Sequence, residues 1–118
     1  MLCSGKVYFD LFEKREETGN DDVYILRVEQ LYPVPARALI AELSRFKNAE
    51  IVWCQEEPKN MGGWSFIAPN IEWVLAHTGS TFKAARYAGR AASASTATGL
   101  LSQHVKEQSA LVADALGI

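Results

Sequence analysis

Val52-Trp53-Cys54-Gln55-Glu56-Glu57-Pro58-Lys59-Asn60-Met61-Gly62-Gly63-Trp64-Ser65-Phe66 holds the junction that decides the fold. An apolar run stops at Gln55, and two adjacent carboxylates, Glu56 and Glu57, follow it. Pro58 lacks the backbone donor that further strand pairing needs. Asn60, Gly62 and Gly63 bring turn chemistry, and an apolar-periodic segment begins at Trp64. The stretch therefore reads as a strand entering a helix through a polar, glycine-bearing loop. In open α/β sheets function gathers at such loops, at the carboxyl ends of the strands. This loop has no nucleophile–base pair and no set of metal ligands. Its chemistry suits contact with another surface.

Outward from that junction, strands and helices alternate. Met1 to Cys3 reads as a clipped strand and Ser4-Gly5 as its turn. Lys6 to Thr18 places Val7, Tyr8, Leu11 and Phe12 on one helical face, and Gly19-Asn20-Asp21-Asp22 ends it. Val23 to Val28 is β-branched and apolar, as expected of a strand buried on both faces. Pro33 and Pro35 prepare a helix start, after which Leu39, Ile40, Leu43 and Phe46 mark a face. Ala49 to Cys54 is the next buried strand. Beyond Trp64 a helical region is expected to be kinked or split at Pro69. Phe82 to Tyr87 reads as a short last strand, and Ala88 to Gly99 as an extended loop. A final helix carries Leu101, Val105, Gln108, Val112 and Ala115 on one stripe. The order implies crossover connections. The expected fold is a three-layer α/β (αβα) sandwich on a mostly parallel sheet, one domain over residues 1–118.

The totals agree with a packed domain. The chain has 118 residues, 48% hydrophobic and 22% charged, values ordinary for a globular unit. A net charge of −2 gives no basic footprint for a nucleic-acid partner. No apolar run is long enough to span a membrane. Cys3 and Cys54 sit in apolar runs and read as buried thiols. No signal peptide is visible, and the abbreviated first strand reads as the start of a piece cut from a longer protein.

Several motifs in order resemble one family. Val28-Glu29-Gln30-Leu31-Tyr32-Pro33-Val34-Pro35 and Trp53-Cys54-Gln55-Glu56-Glu57-Pro58-Lys59-Asn60 are similar to the C-terminal domain of the thiamine-dependent component of 2-oxoglutarate dehydrogenases. Arg86-Tyr87-Ala88-Gly89-Arg90-Ala91-Ala92-Ser93-Ala94-Ser95, continuing to Thr98-Gly99, resembles the last signature of that family. The opening Leu2-Cys3-Ser4-Gly5-Lys6-Val7-Tyr8 and the closing Asp114-Ala115-Leu116 fit as well. The chain departs from the pattern at Ala91 and Thr96, where Pro is usual, and at Met61 and Gly63. The resemblance implies a transketolase-like C-terminal domain. It implies a parent that decarboxylates 2-oxoglutarate on thiamine diphosphate with Mg²⁺ and passes the succinyl group to a lipoyl-carrying acyltransferase in the citric acid cycle. The expected partners are the remainder of the same enzyme, a second subunit of a homodimer and that acyltransferase. The cofactor is expected between the two preceding domains. This stretch is then expected to supply no catalytic, cofactor-binding or metal-ligating residue and to be inactive alone.

Two groups of residues stand out as candidate sites. Glu56, Glu57, Gly62, Gly63 and Trp64 form a candidate interface, since a Trp at a loop tip is costly unless covered. Neighbouring carboxylates on extended chain point to opposite sides, so Glu56 and Glu57 suit capping or ion pairing better than acid–base work. Arg86, Arg90, Ser93 and Ser95, with Lys83, Thr96 and Thr98 nearby, form a candidate anion or effector site. Guanidinium and hydroxyl donors are the chemistry of phosphate recognition. Arg86 and Arg90 are expected together at the C-terminal edge of the sheet. His77 and His104 lack ligand-spaced companions. Trp53 and Trp73 read as core or interface aromatics.

Two other readings remain open on the sequence: a free-standing α/β binding module, or the C-terminal domain of another thiamine-dependent enzyme. The expected location is the cytoplasm of a bacterium, the favoured source, or the mitochondrial matrix of a eukaryote.

Overall fold

Ile51-Val52-Trp53-Cys54 alternates between two cores. Ile51 and Trp53 enter one apolar cluster, and Val52 and Cys54 enter the other, as the two-residue period of a strand requires. Leu2 and Cys3 divide in the same way. The computed structural model describes every residue from Met1 to Ile118. Four short strands, β1 (Leu2–Cys3), β2 (Leu26–Arg27), β3 (Val52–Cys54) and β4 (Arg86–Ala88), form one sheet in the order β2-β1-β3-β4. All three pairings are parallel, with Leu2 opposite both Leu26 and Trp53, and Cys54 opposite Ala88.

The helices cover both faces. α2 (Ala36–Leu43) and α3 (Trp64–Leu75) supply Leu39, Leu43, Ile67, Ile71, Val74 and Leu75 to the cluster around Leu2 and Trp53. α1 (Val7–Thr18) and α4 (Leu101–Leu116) supply Val7, Leu11, Leu111, Val112, Ala115 and Leu116 to the cluster around Cys3 and Cys54. The three-layer α/β sandwich on a parallel sheet is therefore present. Pro35 stands at the N-cap of α2. Gly19, in the left-handed region, closes α1 with bonds to the carbonyls of Arg15 and Glu16, as a C-terminal glycine does.

Four expectations need correction. β2 is an edge strand, with Leu26 half-buried and Arg27 exposed; of the run Val23 to Val28 only Val28 is buried. α3 is not split at Pro69 but continues through it as one helix. The ring lies on the exposed side, and Ser65, which loses the Pro69 donor, is exposed to water as well. The stripe of α4 divides: Val112 and Ala115 are buried, whereas Leu101 and Val105 are exposed. The last strand begins at Arg86 and not at Phe82.

Candidate functional site at the carboxyl edge of the sheet

The chain leaves β1 for β2 on one side and enters β3 on the other, so the loops after β1 and β3 part above the sheet. This is the switch point where open α/β sheets form their crevice. Lys6, just after β1, crosses it to Glu56, just after β3, at 3.0 Å. Lys6 also reaches Asp10 at 2.9 Å. These two carboxylates hold the Lys6 ammonium above its ordinary pKa, Asp10 more than Glu56.

A polar network extends from this pair. The amide nitrogen of Gln108 donates to Asp10 at 2.8 Å and to Glu56 at 2.9 Å. Its oxygen accepts from Arg90 at 3.0 Å. The other Arg90 donors go to Glu107 at 2.9 Å, to the carbonyl of Glu56 and to His104 Nδ1 at 3.3 Å. Gln103, Thr98 and Arg90 all donate to Glu107, and these hydrogen bonds hold its carboxyl below the usual range. One network thus joins α1, the loop after β3, the segment after β4 and α4.

Gln55 organises the loop itself. It is buried. Its side-chain nitrogen faces the carbonyls of Met61 at 2.7 Å and of Glu57 and Pro58 at 3.2 Å. Its oxygen accepts from the Trp53 indole at 2.9 Å and from the backbone N–H of Trp64 at 3.0 Å. Gln55, not Glu56 or Glu57, therefore satisfies a donor in the first turn of α3. The Tyr87 hydroxyl adds a second brace, donating between the carbonyls of Arg90 at 2.7 Å and Glu57 at 3.1 Å. Burial pushes its pKa up to about 12, which keeps it a neutral donor.

The candidate residues fall as follows. Glu56 points to the α1–α4 side, into the network, and Glu57 is exposed near Gly62. Gly62 has φ +65°, in the left-handed region, and a Cβ there would meet Glu57 and Gln55 at 3.0–3.1 Å. Gly63 lies against Leu31 and Trp53. Trp64 is half-buried and packs on Tyr87 with ring centroids 5.3 Å apart.

Arg86 and Arg90 do not converge. Arg86 opens β4 at the opposite, amino end of the sheet, where it binds Glu50 at 3.1 Å and Asp114 at 3.0 Å. Arg90 is only 13% exposed and all three nitrogens of its guanidinium bond within the chain. The expected convergence on one anion is corrected: Arg86 lies at the other end of the sheet, while Arg90 does follow the C-terminal end of β4 and lines one cleft with Ser93 and Ser95. Ser93 is clamped by Asn60, which donates to its carbonyl at 2.9 Å and accepts from its N–H at 3.0 Å. The Ser95 hydroxyl donates to Ala97 at 3.0 Å. Between this loop and α4 lies a cleft of about 580 Å³.

The sequence reading missed Gln55, Asn60, Tyr87 and Gln108. A glutamine directly after a buried strand, two residues beyond Trp53, was the available signal for Gln55. Every buried side-chain polar atom has a partner. The arrangement is built to hold loops in place. It presents no nucleophile next to a base and no group of three or more His, Cys, Asp or Glu placed to ligate a metal.

Residues 1–116 match the family described as 2-oxoglutarate dehydrogenase C-terminal. The 2-oxoglutarate dehydrogenase E1 component of Brucella anthropi is 67% identical over 117 residues, which is 99% of this chain and 12% of that protein. The E1 components of Brucella ovis and Brucella canis match with the same identity and coverage. The chain thus spans 12% of the length of these curated relatives.

Proposed function

Since the chain belongs to the 2-oxoglutarate dehydrogenase C-terminal family, we propose that it is a non-catalytic assembly domain of a thiamine-dependent 2-oxoglutarate dehydrogenase. The parent oxidatively decarboxylates 2-oxoglutarate and transfers the succinyl group to a lipoyl-carrying acyltransferase. The match to named E1 components across nearly the whole chain carries this reading. The site chemistry supports it: the carboxyl edge is a saturated structural network with no reactive group in reach of another.

Thiamine diphosphate with Mg²⁺ would supply the decarboxylation chemistry in the parent. Mg²⁺ takes hard oxygen ligands around an octahedron. Here Glu56, Asp10 and Glu107 already serve Lys6, Gln108 and Arg90. The residues of this chain do not fit that group, and its site is proposed elsewhere in the parent. The partners are proposed to be the remainder of the enzyme, a second subunit and the acyltransferase. The bacterial relatives favour a cytoplasmic location. No helix is long and apolar enough to cross a membrane.

The test is the substrate preference of the full-length polypeptide carrying this chain, supplied with thiamine diphosphate, Mg²⁺ and an artificial electron acceptor. Turnover of 2-oxoglutarate in preference to pyruvate and branched 2-oxo acids is expected. Preference for another 2-oxo acid overturns the assignment.

A further inference from the structure

The two cysteines of the chain, Cys3 and Cys54, stand directly opposite each other on β1 and β3, the central strands of the sheet. Both side chains enter the layer under α1 and α4, both are free thiols and both are fully buried. Ala88 is next on the same level, opposite Cys54. A row of small side chains thus crosses the sheet there. A lone buried thiol packs as a small apolar group. Two in register are also placed to react with each other.

Neighbouring strands lie about 4.8 Å apart, within the roughly 4.4–6.8 Å between α-carbons that a disulfide spans. Side chains that leave the sheet in parallel keep about that spacing at Cβ, wider than the ~3.8 Å of a relaxed disulfide. Closing the bond therefore draws the strands together. The position permits this. Cys3 is the last residue of β1 and Cys54 the last of β3, and the loops beyond them part at the crevice. A bond closed under strain is readily reduced again. We propose that Cys3 and Cys54 form a reversible disulfide site that ties the ends of β1 and β3 together beneath the Lys6–Glu56 bridge.

The oxidant class that fits is a peroxide, small enough to enter as α1 and α4 part. Burial pushes the thiol of Cys3 up to about 11 and that of Cys54 up to about 12. The closed form is thereby protected, since the thiolate is the nucleophile, and reaction runs through opened molecules. There the Cys3 thiolate attacks one oxygen of hydrogen peroxide. The O–O bond breaks, hydroxide leaves and Cys3 becomes a sulfenic acid. The Cys54 thiolate then attacks that sulfur, the S–O bond breaks, the S–S bond forms and a second hydroxide leaves. The protons shed by the two thiols convert both hydroxides to water. The thiol pair loses two electrons, and the peroxide gains them.

Peptide mapping of the full-length polypeptide carrying this chain tests the site. The protein is treated with hydrogen peroxide, quenched in acid, alkylated and digested without reductant. A Cys3–Cys54 linked peptide is expected as the main oxidised product of these cysteines, and dithiothreitol should return both to alkylatable thiols. Urea below the unfolding transition should speed the linkage several-fold. Separate sulfinic and sulfonic acids with no linked peptide overturn the proposal. Two thiols that stay reduced at every urea concentration below that transition overturn it as well. Cys54→Ser should raise sulfinic acid at Cys3 several-fold, because the thiol that captures the sulfenic acid is gone, and an unchanged level there contradicts the site. The map is read without any assay of turnover, so an enzyme acting on a different 2-oxo acid leaves it interpretable.

Discussion

Arg86 and Arg90 leave β4 towards the same helix and grip it two turns apart. Arg86 holds Asp114 at 3.0 Å, and Arg90 holds Glu107 at 2.9 Å. Seven helical residues rise roughly 10 Å, so one polyanion does not bridge the two forks. The pair is a brace between the edge strand and α4. Arg90 sits at the buried end and Arg86 at the more exposed end, and the first prediction follows from that difference.

Arg90→Ala is expected to destabilise the chain by about 1–2 kcal/mol. It removes charge-assisted bonds worth ~1.5–3 kcal/mol when buried, discounted because Glu107 is itself about a third exposed and screened. Arg86→Ala should cost less than about 1 kcal/mol, as surface pairs do. Urea unfolding of both variants measures this, and equal costs would refute it. The Glu107 carboxyl is held below its ordinary range. Its contribution is present above the unfolded carboxylate pKa of ~4.3 and is lost as pH falls through the lower folded value. The cost of Arg90→Ala should therefore shrink in acid.

Gln55→Met keeps the volume and removes both arms of the loop's central hydrogen-bonding group. The carbonyls of Glu57, Pro58 and Met61 lose its nitrogen, and the Trp53 indole loses its oxygen. A cost of about 1–3 kcal/mol is expected for the groups left unpaired. Hydrogen exchange should also speed up at Trp64 and Met61 ahead of the strands. Uniform acceleration across the chain would show that Gln55 acts on global stability alone.

Gly89→Ala tests the close approach above β4. A Cβ there would lie 2.5 Å from the Tyr87 hydroxyl and 2.7 Å from the Gln55 carbonyl. Backbone cannot yield cheaply, so about 1–3 kcal/mol is expected from overpacking. Combining Gly89→Ala with Tyr87→Phe should recover part of the loss, because the nearest clashing atom is gone. A strictly additive double variant contradicts this.

Burial pushes the thiols of Cys3 and Cys54 up to about 11 and about 12. In the unfolded chain a cysteine titrates near ~8.5. The folded state therefore holds its protons longer. The stability this contributes is complete below the unfolded value and is lost as pH rises towards the folded values. Between about pH 9 and pH 10.5 the slope should approach ~1.4 kcal/mol per pH unit for each thiol. Cys54→Ala, though less stable at neutral pH, should show a visibly flatter alkaline slope. An unchanged slope would assign the loss to other groups.

Much of the architecture was legible because each element carries its own period and its own stops. Pro35 and Gly19 sit where a helix start and a helix end need them, and the Gln55–Gly63 loop joins strand to helix as read. The misses share a cause, since each depended on what lies beside an element. Nothing local in Val23–Val28 tells that it borders solvent, or in Leu101 and Val105 that α4 begins uncovered. Residues 86 and 90 have the parity of one face, and both do reach α4. Parity says nothing about where the strand ends, so their separation across the sheet was hidden. Gln55 read as the end of an apolar run because hydrogen-bond direction leaves no mark on composition.

The central claim is that this chain organises an enzyme and performs no step of its chemistry. The direct measurement is 2-oxoglutarate turnover by the purified 118-residue chain, with thiamine diphosphate, Mg²⁺ and an electron acceptor supplied. The circular dichroism of the same sample should report a folded α/β protein. Turnover no greater than that of the protein-free blank is the expected result, and turnover above the blank that scales with the concentration of the chain would contradict the claim.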